Sequence, residues 1–239
     1  MGASFHMTSR APTDSRARLT AVLRQMISLT ASGKASDEEL EGAVRALEVS
    51  NALLAEAEGD AVTREKPRNS HSISATIRDK EEFFKSYLQS TTSPVSGLHN
   101  PLAPPVRLTV VDGQDGALAR IKGEVEFGDA YEGVPQCVHG GVIAAMFDEV
   151  LGAANLASKN PGMTGTIKVR YHRPTPCHRL LRIEASWLRR EGRKSYSWAG
   201  IYDGEELTAE AEGLFVEITQ EQFLAFVNGG ETTDNSDAL

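Results

Sequence analysis

The segment 139–157 restricts the fold of this chain more than any other, because a glycine-opened start leads into a long apolar run. Gly140 and Gly141 lie where a helix would begin, and each destabilises a helix by about 1 kcal/mol relative to alanine. We infer that bare backbone is needed at this start. The first N–H groups of a helix are unpaired and carry the positive end of its dipole, so they suit an anionic ligand.

The carboxylate of Asp148 lies inside this apolar run, among Ala144, Ala145, Met146, Phe147 and Val150. An ionised carboxylate is rarely placed among apolar residues without a partner or a task, so we expect a partly buried acid. A helix start that stabilises anions, followed by such an acid, favours acyl transfer or hydrolysis. A plain Gly-Gly turn and a solvated helix face are the alternative interpretation of the same residues.

Strand patterns surround this helix. Apolar and polar residues alternate in six segments bounded by turn residues, two before the helix and four after it. These segments are 106–111, 117–127, 163–172, 179–190, 193–202 and 206–217, with a turn at 112–116. Two strands, one long helix and then an antiparallel meander predict an α+β fold whose antiparallel sheet wraps around a central helix.

We assign the predicted α+β domain to residues 95–218, with further segments before and after it. Residues 1–7 are typical of a cloning remnant. Residues 8–60 predict an N-terminal helical hairpin with helices at 15–31 and 37–58, the second opened by a capping box of Ser36 and Glu39. Residues 61–94 predict a linker with a short helix at 81–88, and residues 219–239 a C-terminal tail that begins with an amphipathic helix at 220–227.

Charge is distributed unevenly along the chain. The formal net charge of −8 argues against a general nucleic-acid binder. Residues 168–194 nevertheless contain nine Lys and Arg against two Glu, which makes this segment +7 and the remainder −15. A local basic patch on an acidic protein suits a polyanionic small ligand, although solvated charges on an outer sheet face would explain part of it. No stretch has the length expected of a membrane-spanning helix.

The two cysteines, Cys137 and Cys177, do not form a disulfide framework and fit a reducing compartment. We therefore expect a cytoplasmic protein. The mitochondrial matrix is the alternative, because the start of the chain is rich in Arg, Ser and Thr like a transit peptide. Paired Cys or His ligands at zinc-site spacing are missing from the sequence, and we predict no metal site and no cofactor.

Five motifs follow one another along the predicted domain. They are His139-Gly140-Gly141, Asp148, Met163-Thr164, Tyr171-His172-Arg173-Pro174 and Glu191-Gly192-Arg193-Lys194. Together they resemble the hotdog-fold acyl-CoA thioesterases of the phenylacetate-pathway type and their mitochondrial thioesterase-superfamily relatives. The resemblance covers about residues 100 to 218, roughly half the chain, in the family's order. None of the motifs is decisive alone, but jointly they are specific.

The resemblance implies a hotdog domain that hydrolyses the thioester of acyl-CoA to a free acid and CoA. It implies Asp148 as general base or nucleophile, and Thr164 as the residue that orients the water or the carboxylate. It also implies that Gly140 N–H, with the turn from His139 to Gly141, forms the oxyanion hole, that His139 hydrogen-bonds near the thioester, and that Gly141 contacts the substrate. The implied CoA contacts are Arg170, His172, Arg193 and Lys194. A non-catalytic acyl-CoA-binding protein and a hotdog hydratase or dehydratase are the alternatives.

Helical geometry separates the two halves of this expected site. His139 and Asp148 are nine residues apart, which corresponds to about 900° of rotation and about 13.5 Å of rise. One helix therefore cannot aim both residues at the same carbonyl group. Two antiparallel copies can, so we expect a homodimer or a dimer of dimers with shared sites.

Overall fold

The structure is a computed structural model that describes residues 15–59, 91–111 and 120–227. The predicted cloning remnant at 1–7, the short helix at 81–88 and the turn at 112–116 lie outside the described residues. The helices are α1 (Ser15–Ser32), α2 (Asp37–Gly59), α3 (Gly140–Ala157) and α4 (Gln220–Val227), with a 3-10 turn at Asp129–Tyr131. The strands are β1 (Arg107–Val111), β2 (Arg120–Glu126), β3 (Met163–Tyr171), β4 (Leu180–Glu191), β5 (Lys194–Asp203) and β6 (Glu206–Val216).

The six strands form one antiparallel sheet in the order β1-β2-β4-β5-β6-β3. The predicted α+β architecture and the predicted strands are confirmed. The expectation of a four-stranded meander after the helix is wrong in one respect, because only β4, β5 and β6 follow one another in space. β3 instead pairs with β6 at the far edge of the sheet.

The crossover from β3 to β4 explains this difference. Its backbone is pinned in turn to β6, to the loop before α3 and to the end of β2. His172 N–H donates to Thr208 O at 2.9 Å, Cys177 N–H to Gln136 O at 2.9 Å, and His178 N–H to Phe127 O at 2.8 Å. These bonds carry the chain across the end of the sheet, where Pro174 and Pro176 cannot donate to a strand ladder.

The core lies between α3 and the concave face of the sheet. The apolar face of α3 is fully or nearly fully buried there, against inward side chains of β2, β4, β5 and β6. From α3 these are Ile143, Met146, Phe147, Val150, Leu151 and Ala154. Contrary to the expectation that no stretch is long enough, α3 alone among the described helices has the length and apolar composition of a membrane span, but half of it is buried inside this domain as a core helix.

The two N-terminal helices, α1 and α2, differ in how far their side chains are buried. α1 buries Ala17 and Thr20 and contacts the 3-10 turn at Asp129–Tyr131, and Arg24 Nη2 donates to Asn100 O at 3.1 Å. α2 begins at the predicted capping box, where Glu39 Oε2 accepts from Ser36 N–H at 2.9 Å. Side chains of α2 are exposed or half-buried over 37–54.

Candidate active site

The start of α3 is capped by the side chain of His139. Its Nδ1 accepts a hydrogen bond from Gly141 N–H at 2.9 Å, so the proton of the neutral ring lies on Nε2. A Cβ on Gly141 would meet Nδ1 at 3.1 Å, which explains the glycine. Gly141 N–H is therefore already bonded within the chain and is not the donor expected to contact a substrate. The donors at this turn that could contact a substrate are its neighbours. Those neighbours are Gly140 N–H, which lacks an intrahelical acceptor at the first helical position, and His139 Nε2–H.

β3 contacts the first turn of α3 through a tyrosine. The Tyr171 hydroxyl donates to Gly140 O at 2.8 Å, and its ring packs close enough that a Cβ on Gly140 would lie 3.3 Å from the hydroxyl oxygen. The Gly140–Gly141 peptide group is thus held at both ends, with its oxygen bonded to Tyr171 and its N–H bonded to His139. This fixes the orientation of the turn in which the oxyanion hole is expected.

The other end of β3 contacts Asp148. Thr164 Oγ1 donates to Asp148 Oδ1 at 2.8 Å. β3 has a register shift between Thr164 and Thr166, with Gly165 as the extra residue, so that Thr164 lies opposite the inward-facing Phe215. Without this bulge Thr164 and Thr166 would share the outer face, because side chains alternate along a strand.

Asp148 itself is exposed in the chain, which corrects the expectation of a partly buried acid. The reason is that α3 turns its core face away from Asp148. Gly141, Ala145 and Asp148 follow one another at helical spacing along the exposed face. This stripe is small, so another element could approach it closely.

A second carboxylate, that of Glu149, is buried beside it. Ser93 Oγ donates to Glu149 Oε1 at 3.3 Å, and Ser96 Oγ donates to the same oxygen. Burial raises the pKa of Glu149 above its ordinary value, the two serine bonds oppose this, and the negative charge of Asp148 adds to it. Glu149 therefore joins α3 to the turn at 93–97 and does not face the same side as Asp148.

Six of the nine basic residues at 168–194 pair with carboxylates, and four of these carboxylates lie outside the segment. Six arginines form ion pairs, which explains why this +7 segment is not a free basic patch. The pairs are Arg170–Glu210, Arg173–Glu206, Arg179–Asp203, Arg182–Glu184, Arg189–Glu191 and Arg190–Glu217. The sequence separates several of these partners by tens of residues, and sheet pairing brings them together.

Of the four residues expected at CoA, Arg170 and His172 lie at the end of β3 that is away from Thr164, whereas Lys194 lies opposite Val216, which also pairs with Met163. Arg170 Nη1 and His172 Nε2 both bond Glu210 Oε1, at 3.3 and 3.0 Å, on the outer face of the sheet. Hydrogen bonds from Trp198 and His172, with the positive charge of Arg170, lower the pKa of Glu210 against the effect of burial. Arg193, in the β4–β5 turn, donates to Glu217 O at 3.0 Å, and Lys194 follows it.

Two residues at this site had no role predicted for them. Tyr171 was noted only as part of a motif, although a tyrosine at the end of a strand facing a glycine-opened helix is a usable signal. Gly133 packs against His139, since a Cβ there would lie 2.9 Å from His139 Cα. The Gly133-Val134-Pro135 sequence indicates a turn, but nothing in it reveals this contact.

Residues 136–210 match the thioesterase superfamily, a segment that includes His139, Asp148, Thr164 and Tyr171. The whole architecture is also similar to the crystal structure of a thioesterase superfamily protein, with a TM-score of 0.71 and 29% identity over 91% of this chain and 98% of that chain. The chain contains a thioesterase-superfamily domain with the hotdog fold. The predicted fold and family resemblance are confirmed, and the second comparison includes the region of the N-terminal helices.

The curated relatives match only part of the chain. Acyl-coenzyme A thioesterase THEM4 from Bos taurus is 31% identical over 97 residues, which cover 40% of each protein. The Xenopus laevis protein of the same name is 33% identical over 93 residues, or 38% of this chain and 42% of the relative. The chain thus spans about two fifths of the length of the relatives that it matches.

Proposed function

We propose that the protein is an acyl-CoA thioesterase, which hydrolyses the thioester of acyl-CoA to a free acid and CoA. The observation that carries this proposal is that Asp148, bonded by Thr164, lies on the same helix as a glycine start held by His139 and Tyr171. Related proteins named acyl-CoA thioesterases support the substrate class. The free thiols of Cys137 and Cys177 support a reducing compartment, with the cytoplasm favoured over the mitochondrial matrix. The proposed substrate would place the protein in lipid metabolism.

In this mechanism the thioester oxygen binds at the start of α3. Gly140 N–H and His139 Nε2–H donate to it and stabilise the negative charge of the tetrahedral intermediate. As general base, Asp148 takes a proton from water, whose oxygen bonds to the carbonyl carbon. The C–S bond then breaks, and the proton on Asp148 passes to the CoA sulfur. As nucleophile, the Asp148 carboxylate would instead attack the carbonyl carbon, and the C–S bond would break to give an acyl anhydride and CoA thiolate. Water would then hydrolyse the anhydride to the free acid and Asp148, and the proton that is released would pass to the thiolate.

We further propose that each site is shared between two chains. Gly140 and Asp148 are separated by eight helical residues, about 12 Å along the axis, which is too far for both to act on one carbonyl group. The exposed stripe of Gly141, Ala145 and Asp148 and the edge strand β3 offer a surface on which the antiparallel α3 of a second copy fits. A homodimer is the smallest assembly with a complete site.

Arg193 and Lys194 are the proposed contacts of the CoA phosphates. The hydrogen bonds of the Arg193 guanidinium are to a backbone carbonyl and an amide oxygen, Glu217 O and Gln222 Oε1, so its charge is not matched by a carboxylate in these contacts. Arg170 and His172 share Glu210 and are weaker candidates for the same role. Replacing Arg193 and Lys194 with alanine should raise KM more than it lowers kcat.

Hydrolysis is tested with a panel of acyl-CoAs, by release of free thiol. Asp148→Asn should lower kcat by about 100-fold or more while leaving the fold intact. Thiol release with near-normal kcat in folded Asp148→Asn protein would contradict the mechanism. Binding of acyl-CoA with no thiol release from the wild type would favour the non-catalytic protein, and addition of water to an enoyl-CoA would favour the hydratase.

The shared site is tested by mixing two inactive variants. Gly140→Pro removes the proposed donor, and proline is favoured at the first helical position. His139, at φ −60° and ψ 131°, has the conformation that a residue before proline prefers. Gly140→Ala is the matched control, because it adds a Cβ and keeps the N–H.

Mixing Asp148→Asn with Gly140→Pro should restore about a quarter of wild-type activity per total site. Random exchange makes half of the dimers heterodimeric, and each heterodimer has one intact and one doubly damaged site. No recovery after confirmed subunit exchange would place the site within one chain.

A further inference from the structure

α1 binds the hotdog domain with the less apolar of its two faces. Ala17 and Thr20 are buried, Arg24 bonds Asn100 O, and Ser28 Oγ lies 3.4 Å from the position of a Cβ on Gly128. These four residues recur every three or four positions, so they form one stripe of the helix. The stripe is small and polar, although α1 also has large apolar residues.

Four of the six large apolar residues of α1 lie on the opposite side, while Leu23 and Ile27 are half-buried between the two faces. Leu19, Val22, Met26 and Leu29 have the 3-4-3 spacing of a helix–helix seam, and we call them the α1 seam. At about 100° per residue, the centre of this seam is roughly 170° from the stripe that contacts the domain. Leu19, Val22 and Leu29 remain 44%, 54% and 52% exposed, so the fold of the chain leaves this seam outside.

α2 carries a second seam of the same kind. Its residues Leu40, Val44, Leu47, Asn51 and Leu54 follow the spacing 4-3-4-3, and we call them the α2 seam. Val44 and Leu54 are 46% and 53% exposed. A single Asn among apolar seam residues is typical of paired helices, in which it fixes register at a cost in stability.

The charges beside the two seams are complementary. α1 has three arginines and no acidic residue, and Arg16 and Arg18 flank its seam. Residues 37–54 of α2 have five acidic residues against Arg45, and Glu41 and Glu48 flank its seam. Opposite charges at flanking positions stabilise a pair of helices and select the partner, whereas α1 with α1 or α2 with α2 would place like charges together.

We propose that the α1 seam of one chain packs against the α2 seam of a second copy of this chain, and reciprocally, so that two N-terminal extensions form a four-helix bundle on a two-fold axis. The second copy is the occupant because the seams and their charges complement each other and both seams stay exposed in the folded chain. This interface is formed by α1 and α2 and is separate from the proposed shared site at α3.

A charge exchange tests the proposal. One variant carries Arg16→Glu and Arg18→Glu, and the other carries Glu41→Arg and Glu48→Arg. Each variant alone pairs like charges across the interface, whereas a complex of the two restores both attractive pairings. After co-expression, native mass spectrometry should show a mixed fraction at least about 1.5 times that of two co-expressed wild-type chains that differ only in a tag.

A mixed fraction equal to the wild-type value would overturn the proposal, since it would mean that the seams are covered within one chain or by nothing. A matched pair of valines on α2 adds a control. Val44→Glu in both chains should abolish the enrichment, because Val44 is in the seam. Val49→Glu should retain it, because Val49 is 63% exposed and lies about 140° away around the helix. Equal effects of the two substitutions would also contradict the interface.

Discussion

Thr164 donates a hydrogen bond to Asp148 from a strand position that regular alternation would turn to the opposite face of the sheet. The bulge at Gly165 makes this contact, and the contact restricts the rotamer of the carboxylate. The orientation of Asp148 therefore depends on the bulge in the backbone of β3 as well as on the threonine at position 164.

Thr164→Val should remove this bond while keeping the shape of the side chain. Because hydrogen bonds to charged groups contribute about 1.5–3 kcal/mol, we expect thioester turnover to fall by roughly 10- to 100-fold. Thr164→Ser keeps the hydroxyl and is the control, expected to stay within about threefold of wild type. Steady-state kcat of the two variants measures the effect. An equal loss of kcat in both would show that the hydrogen bond between Thr164 and Asp148 does not account for it.

Tyr171→Phe should leave the ring in place and release only the carbonyl of Gly140. A neutral hydrogen bond contributes about 0.5–1.5 kcal/mol, so kcat should fall by roughly 2- to 12-fold. KM should change little, because Tyr171 acts through the helix start and does not itself bind the substrate in this proposal. A larger change in KM than in kcat would instead make Tyr171 a direct substrate contact.

Gly133→Ala should push His139 away from its capping position. The new Cβ would lie 2.9 Å from a backbone atom, which cannot move aside as a flexible side chain would. Overpacking of this kind costs about 1–3 kcal/mol, and we expect a lower melting temperature together with lower kcat. Val134→Ala, in the same loop at an exposed residue, is the control and should leave both unchanged. If Gly133→Ala retained both values, the loop would be freer to move than its contacts indicate.

Glu149→Gln should change how stability depends on pH. Burial raises the pKa of Glu149 above its ordinary value of 4.5, so the folded chain binds this proton more tightly than the unfolded chain does. Its stability contribution is complete below pH 4.5 and is lost as pH rises through the folded-state pKa. Glutamine does not ionise, so the variant should gain stability relative to wild type as pH rises from 4 to 8. Thermal unfolding over this range checks it, and parallel curves would contradict the buried charge.

The sequence predicted the elements of the fold because its periodicity is strong and its breaks are marked. The helix at 140–157 and the strands that follow it were placed within one or two residues. Strand order was predicted less well. Alternation reveals which face of a strand is buried, but the position of β3 beside β6 depends on the long-range bonds of the crossover, for example His172 N–H to Thr208 O.

The candidate site was also predicted only in part from the sequence. Asp148 and Thr164 lie in contact as the family resemblance implied. The ion pairs of the basic segment were not predicted, because Arg190 and Glu217 are 27 residues apart and meet only through the sheet. Exposure of Asp148 was misjudged for a related reason, since neighbours in sequence do not reveal which face of a helix the sheet covers.

The exposure of Asp148 also separates the free energy of folding one chain from the free energy of associating two chains. In an enclosed active site the two would be combined. Folding of one chain leaves this carboxylate in water, so it places no cost of desolvation on the stability of the chain. With a shared site, that cost falls on the association of subunits. Asp148→Asn, which keeps an oxygen that can accept from Thr164, should therefore hardly affect the unfolding of a subunit and strongly affect how tightly subunits bind. Removal of the charge should strengthen that association even as it removes activity.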